Sequence, residues 1–262
     1  MGGFSPEWLS LREAADHRAR NQKLLSVLSE YFEQCTSVWI VDLGCGTGAN
    51  FRGISRALPI SQSWRLVDND HTLLELAREL CSSKGSRELS FETADLRHDL
   101  ARLLSAPCDL VTAAALFDLV SESWLAEFVE ILSVQRLPLY ATLIFDGAMS
   151  WQPPHSADQD VVAAFSRHQL GDKGFGPALG PAAASSLATK LEQAGYAVWS
   201  APSPWLLGPN DLPLIAATTE GVAEAVREIN CLPVTVVEAW LKSHETCTAC
   251  SIGHTDILAL PR

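Results

Sequence analysis

The chain has no run of basic residues. Its 19 Lys and Arg are scattered among 31 Asp and Glu, leaving a net charge of −12 over 262 residues. A nucleic-acid binder neutralises phosphates with clustered cations, so this balance argues against RNA or DNA as a partner. The same charge opposes binding to an anionic membrane surface. No apolar stretch approaches the ~20 residues of a bilayer-spanning helix. Met1 to Arg20 lacks the basic start, apolar core and small-residue cleavage site of a signal peptide. From these absences we expect no membrane partner and a cytoplasmic location. The seven cysteines are odd in number and irregular in spacing, which argues against a secreted disulfide framework. There is no internal repeat and no low-complexity tract.

Short apolar runs alternate with helical patterns along the first 146 residues. The reading places strands at 38–43, 64–68, 88–93, 108–114 and 138–146, with helices at 49–58, 71–83, 98–105 and 122–135 between them. Alternation at this spacing predicts a parallel sheet with right-handed crossovers. Ligands of such sheets bind beyond the carboxyl ends of the strands. Asp42, Asp68, Asp95 and Phe117-Asp118 all fall at or just past those ends and are expected to converge on one crevice.

The first strand, Val38-Trp39-Ile40-Val41-Asp42-Leu43, runs into Gly44-Cys45-Gly46-Thr47-Gly48. Glycines allow a tight turn and a close backbone approach to a ligand. Twenty residues later Ser63-Trp64-Arg65-Leu66-Val67 ends on Asp68, an acid placed to accept hydrogen bonds from ribose hydroxyls. The first hypothesis is therefore a nucleoside-bearing cofactor. A pyrophosphate cofactor usually wants the third glycine one step later and no acid before the turn. The ammonium of a methionine group would instead be welcome near Asp42. A dinucleotide-binding oxidoreductase is the rival within this fold; it suits Asp68 but neither the glycine spacing nor Asp42.

Four ordered elements resemble class I S-adenosylmethionine (SAM)-dependent methyltransferases. Asp42 to Gly48 looks like their first motif, and Asp68 like their ribose-binding acid. Thr93-Ala94-Asp95-Leu96 looks like their adenine-contacting segment. Asp109 to Leu116 looks like their fourth strand, whose end borders the transferred methyl. The resemblance runs from about Trp39 to Phe145. It implies an α/β fold with a doubly wound, seven-stranded, mostly parallel sheet, the last strand antiparallel, and helical insertions. It also implies SAM as cofactor and S-adenosylhomocysteine (SAH) as product. Carried over residue by residue, Asp42, Gly44, Cys45, Gly46, Gly48, Asp68, Asn69, Asp95, Leu96 and Ala113 are the expected cofactor residues.

The rest is less regular. Ser5-Pro6-Glu7 starts a helix that runs to about Tyr31, with a bend near Asn21. Arg12, Asp16 and Arg20 form an i, i+4, i+8 ladder, either a solvated face of ion pairs or a lid over the cleft. For Arg20 the solvated face is the expectation. Residues 1–36 are read as an N-terminal helical lid and 37–262 as the methyltransferase domain. That domain is expected to hold an acceptor-lid insertion at about 147–180 and a helical insertion at about 209–250. Asp146 to Pro154 has the composition of a loop. Helices are expected at 158–169, 181–194, 212–229 and 232–244, and strands at 196–200 and 252–260.

His155, His168 and Asp118 are the candidate catalytic groups, since a base near neutral pKa can deprotonate an acceptor. The plainer reading of each histidine is a loop residue making ordinary hydrogen bonds. Phe117, Trp151 and Trp205 could wall an acceptor or pack in a core. His244, Cys247, Cys250 and His254 have the residue types of a zinc site, but four ligands within eleven residues would strain the chain. No metal is expected. The functional expectation is methyl transfer to a small-molecule acceptor. The alternatives are an RNA or protein acceptor, or a non-catalytic SAM-binding partner subunit. A homo-oligomer is compatible with the sequence and not specified by it.

Overall fold

A computed structural model describes residues 4–58, 61–81, 87–105 and 107–262. Two helices lead. α1 (Pro6–Ala19) is capped by Ser5, whose Oγ accepts from the Trp8 N–H at 3.2 Å. α2 (Gln22–Tyr31) is capped by Asn21 through the Lys23 and Leu24 N–H groups. The bend expected near Asn21 is thus a break between two capped helices.

Then come β1 (Ser37–Leu43), α3 (Ala49–Ile54), β2 (Ser61–Asp68), α4 (His71–Leu80), β3 (Arg87–Thr93), α5 (Leu100–Ser105), β4 (Leu110–Ala114) and α6 (Glu122–Val134). The expected end of the fourth helix at 83 lies outside the described residues. β5 (Leu139–Gln152), α7 (Asp158–Gln169), α8 (Ala183–Gln193), β6 (Tyr196–Pro202), β7 (Trp205–Leu207), α9 (Leu212–Ile229), α10 (Val234–Ser243) and β8 (Ala249–Pro261) complete the chain.

The sheet order is β3-β2-β1-β4-β5-β8-β6, with β7 paired to β8. β1 to β5 are mutually parallel and β8 runs antiparallel between β5 and β6. The expected architecture is present, with one strand more than the seven predicted. β7 is the addition, a three-residue strand in a segment read as irregular.

β5 departs most from expectation. It does not stop at Asp146 but continues antiparallel to β8 as far as Gln152 paired with Ala249. The Gly and Pro content around Gly147 suggested a loop. The structure instead absorbs Gly147 at φ +91° in a register shift, after which Met149 and Trp151 point inward on alternate positions. A second register shift lies beside Leu143, at φ +57°. Its freed N–H donates to Asp256 Oδ1 at 2.9 Å, and Asp256 Oδ2 accepts from the Asn21 N–H at 2.8 Å. One buried carboxylate therefore fastens the bulge to the corner between α1 and α2.

Two apolar clusters sandwich the sheet. One packs β1, β4 and β5 against α5, α6 and α8; the other packs α2, α3 and α4 on the opposite face. A third cluster lies beyond the sheet, where the extensions of β5 and β8 meet α1, α7, α9, α10 and β7 around Trp151, Trp205 and Trp240. Among the described residues no helix is long and apolar enough to cross a membrane.

Candidate active site

The turn after β1 carries Gly44, Gly46 and Gly48 at φ +64°, +52° and +81°. An L side chain is strained in that region, which is why the turn is built of glycine. At Gly48 a Cβ would also lie 2.5 Å from Cys81 Sγ. The turn is tied to β2 twice. Cys45 N–H donates to Val67 O at 2.9 Å, and Gly46 N–H donates to Asp68 Oδ2 at 2.8 Å. Asp70 N–H donates to the other oxygen of Asp68 at 3.0 Å. The Asp68 carboxylate is thereby aimed by backbone donors, while burial pushes its pKa up against them.

A cleft of about 1200 Å³ opens at these strand ends. Gly44, Cys45, Gly46, Asp68, Asn69, Asp95 and Leu96 line it, as expected from the sequence. Three expected cofactor residues do not. Gly48 is folded under the turn against Cys81, and Ala113 is wholly buried inside β4, so Ala114 and Ala115 face the cleft in its place. Asp42 lies beneath the turn, buried, with Oδ1 accepting from Asn50 Nδ2 at 2.7 Å and Thr112 Oγ1 at 2.8 Å. Its Oδ2 has no hydrogen-bond partner among the described residues, and burial raises its pKa to about 6 despite those two donors. Asp95 is held by Arg97 through Nε, Nη2 and the backbone N–H, and those bonds lower its pKa to about 2.

The three catalytic candidates separate. His168 lines the cleft, with Nε2 2.9 Å from Glu228 Oε2 and Nδ1 3.3 Å from Lys173 Nζ. His155 does not. Because β5 runs on to Gln152, His155 falls beyond the ladder, where its Nδ1 accepts from the Ala157 N–H at the start of α7 and its ring lies 6.2 Å from His244. Asp118 sits in a single 3-10 turn, Phe117–Leu119, below the cleft wall formed by Leu116 and Leu119. Its Oδ1 has no partner among the described residues, and burial lifts its pKa to about 6.

The α1 ladder is not a solvated face. Arg12, Asp16 and Arg20 are all buried, and Arg12 and Asp16 line the cleft. Arg12 binds Asp16 through Nε at 2.9 Å and Nη2 at 3.1 Å, with its guanidinium 4.9 Å from the Trp205 ring centre. Trp205 Nε1 donates to Asp16 Oδ1 at 2.9 Å. Arg20 Nη2 donates to Asn50 Oδ1, so Arg20, Asn50 and Asp42 form one relay under the turn. Phe117, Trp151 and Trp205 line no part of the cleft; all three are core. His244 is buried between Trp240 O and Asp158, whereas His254 packs on Trp205 and Phe145. No group of three or more potential metal-binding side chains occurs among the described residues.

The sequence reading missed Asn50, Thr112 and Lys173. Thr112 carried a signal, being the polar residue inside the apolar run of β4. Asn50 and Lys173 carried none, because their roles depend on partners that tertiary structure brings to them.

Residues 40–136 match the family model described as a methyltransferase domain. Over that segment the chain is similar to methyltransferase domains. The matched segment runs from β1 to the end of α6, so it holds the glycine turn, Asp68 and Asp95 and excludes α7 to α10. No curated protein matches the chain. Among solved structures, a cyclopropane synthase from Mycobacterium tuberculosis is similar at 13% identity and a TM-score of 0.54, over 98% of this chain and 94% of that one. A mycolic acid cyclopropane synthase complexed with SAH and CTAB is similar at 12% identity and a TM-score of 0.51, over 91% and 82%. The YcgJ protein of Bacillus subtilis is similar at 12% identity and a TM-score of 0.50, over 92% and 99%. At such identities these structures establish a shared fold.

Proposed function

We propose that this methyltransferase transfers the methyl group of SAM to a small-molecule acceptor. The observation that carries the reading is one cleft with two unlike ends. At one end the glycine turn, Asp68, Asn69, Asp95 and Leu96 meet. At the other, α1, α7 and α9 contribute Arg12, Phe165, His168 and Ala225.

The residues present suit the cofactor. Asp68 would take the ribose hydroxyls, with Asn69 beside it. Leu96 would lie against the adenine ring and Asp95 would accept from its amine while still bound to Arg97. The unpaired Oδ2 of Asp42 supplies negative charge beneath the turn where a methionine ammonium would lie. Bound SAM supplies an activated methyl and a good leaving group. The protein's part is orientation and exclusion of water, to which the roof over the cleft contributes. Of the three catalytic candidates, His168 alone faces the cleft, its orientation held by Glu228 and Lys173. In this reading α1 and the 147–180 segment act as covers of the acceptor end. A covered end favours a metabolite over RNA or protein, as does the net charge of −12.

The test is incubation with methyl-labelled SAM and three cell fractions: metabolites, RNA and protein. The expected label is in a metabolite, and Asp68→Ala should lose it together with about 100-fold in SAH affinity, because two charge-assisted hydrogen bonds go at once. Label confined to RNA or protein would refute the acceptor class. Unchanged SAH affinity in Asp68→Ala would refute the cofactor site.

A further inference from the structure

The acceptor end of the cleft offers hydrogen-bond donors in excess. Its carboxylates are largely engaged. Asp16 spends Oδ1 on Arg12 Nη2 and Trp205 Nε1, and Oδ2 on Arg12 Nε. Asp172 Oδ1 closes its own turn by accepting from the Gly174 and Gly176 N–H groups at 2.7 and 3.0 Å. Asp118 lies below the wall, not on it.

The cations differ. Lys173 lines the cleft and has no carboxylate within ion-pair distance among the described residues; its contact is with His168 Nδ1. That leaves two of its three donors for a ligand. Arg12 also lines the cleft, and its Nη1 makes no hydrogen bond among the described residues, although the side chain is only 11% exposed. The stacking on Trp205 and the bond to Asp16 fix the plane in which Nη1 is presented. Burial lowers the Lys173 pKa, while the charges of Glu228 and Asp118 counter that fall without pairing with it. A partly desolvated cation facing a cavity is best complemented by an anion.

We propose that the acceptor carries an oxyanion, a carboxylate or a phosphate, received by Lys173 and Arg12 Nη1. The proposal rests on the methyltransferase reading above and names the acceptor's chemistry within it. Lys173 is then a specificity residue. The oxyanion sets the acceptor's position and takes no part in bond making.

The metabolite extract is passed over an anion exchanger at neutral pH, and the retained and unretained pools are each incubated with labelled SAM. Label is expected from the retained pool. Lys173→Met should lower the rate at limiting extract about tenfold or more, and Lys173→Arg should keep most of it. SAH affinity, measured separately, should stay within about twofold in both variants. Phosphatase treatment of the retained pool separates the two chemistries: label lost means a phosphate, label kept means a carboxylate. Label from the unretained pool, or a Lys173→Met rate equal to wild type, overturns the proposal. So does loss of SAH binding in Lys173→Met, which would move Lys173 to the cofactor. Failure of the wild-type protein to bind SAH would instead sink the cofactor reading.

Discussion

The two ends of the cleft are built in different ways. The cofactor end is assembled from strand ends and the turns that follow them, so each residue comes with its own local scaffold. Asp68 is aimed by Asp70 two residues away and by Gly46 in the neighbouring strand's turn. The acceptor end is assembled across the chain. Asp16 meets Trp205 across 189 positions, and His168 meets Glu228 across 60. The lesson is that a cofactor site can be written in short motifs, whereas the acceptor site depends on a third core where the extended ends of β5 and β8 meet helices from distant parts of the chain.

If the two ends are separable, breaking the third core should destabilise the protein and spare cofactor binding. Trp240 is wholly buried, stands edge-on to Trp151 at 5.1 Å, and donates from Nε1 to Asp158 Oδ1 at 2.8 Å. Trp240→Ala should cost about 3–5 kcal/mol in urea unfolding through the cavity and the orphaned carboxylate. SAH affinity of the folded fraction should stay within about threefold. A parallel collapse of SAH binding would show that the two ends are one cooperative unit.

The reverse cut is Gly48→Ala. The strain at φ +81° and the contact with Cys81 Sγ at 2.5 Å together should cost about 2–3 kcal/mol. SAH binding should weaken with it, since Gly44 and Gly46 share the turn. Adding Cys81→Ala removes the contact and leaves the strain, so about 1 kcal/mol should return. No recovery would place the whole cost in the backbone.

That contrast also explains what the sequence could tell. β1 to β4, the glycine turn and the placement of Asp68 and Asp95 at the cleft were legible, because a buried parallel strand is an apolar run and the groups at its carboxyl end follow it immediately, whereas Asp42 and Asp118, expected in the same crevice, lie beneath its wall. The extension of β5 was not. Gly147 and the prolines at 153 and 154 read as a loop, and only pairing with β8, a hundred residues later, makes 147–152 a strand. His155 was misplaced for the same reason. Arg20 looked like a surface charge because i, i+4, i+8 spacing normally marks a solvated face. Its burial depends on Asn50, which no helical pattern announces.

Asp42 sharpens the comparison with a smaller, pH-dependent effect. Its carboxyl has an ordinary pKa of 3.8 and is raised to about 6 in the fold by burial, against the bonds from Asn50 and Thr112. Between about pH 4 and 6 the folded state therefore keeps a proton that the unfolded state has lost. Stability from this group is present below pH 4 and falls as pH rises to 6. Asp42→Asn lacks that dependence. Its stability relative to wild type should improve by on the order of 2 kcal/mol from pH 4 to 6 and level off above. Asp118 titrates with the same sign but is common to both proteins, so it cancels. A flat difference across that window would mean that Asp42 stays ionised, with Arg20 as its effective counter-charge.

The smallest effect tests how α1 is joined to the acceptor end. Arg18 Nη2 lies 2.6 Å from Asp211 Oδ1, bridging α1 to the turn that begins α9, with side chains 53% and 17% exposed. The Arg52–Glu13 pair joins α1 to the cofactor end at a similar distance, with side chains 19% and 23% exposed. Water and salt screen the first pair far more than the second. Arg18→Ala should therefore cost no more than about 0.5 kcal/mol, and that cost should vanish in about 0.5 M salt. A loss that survives salt would mean that Arg18 holds α1 through its aliphatic stem. In that case the roof of the acceptor end would be fastened by packing and not by charge.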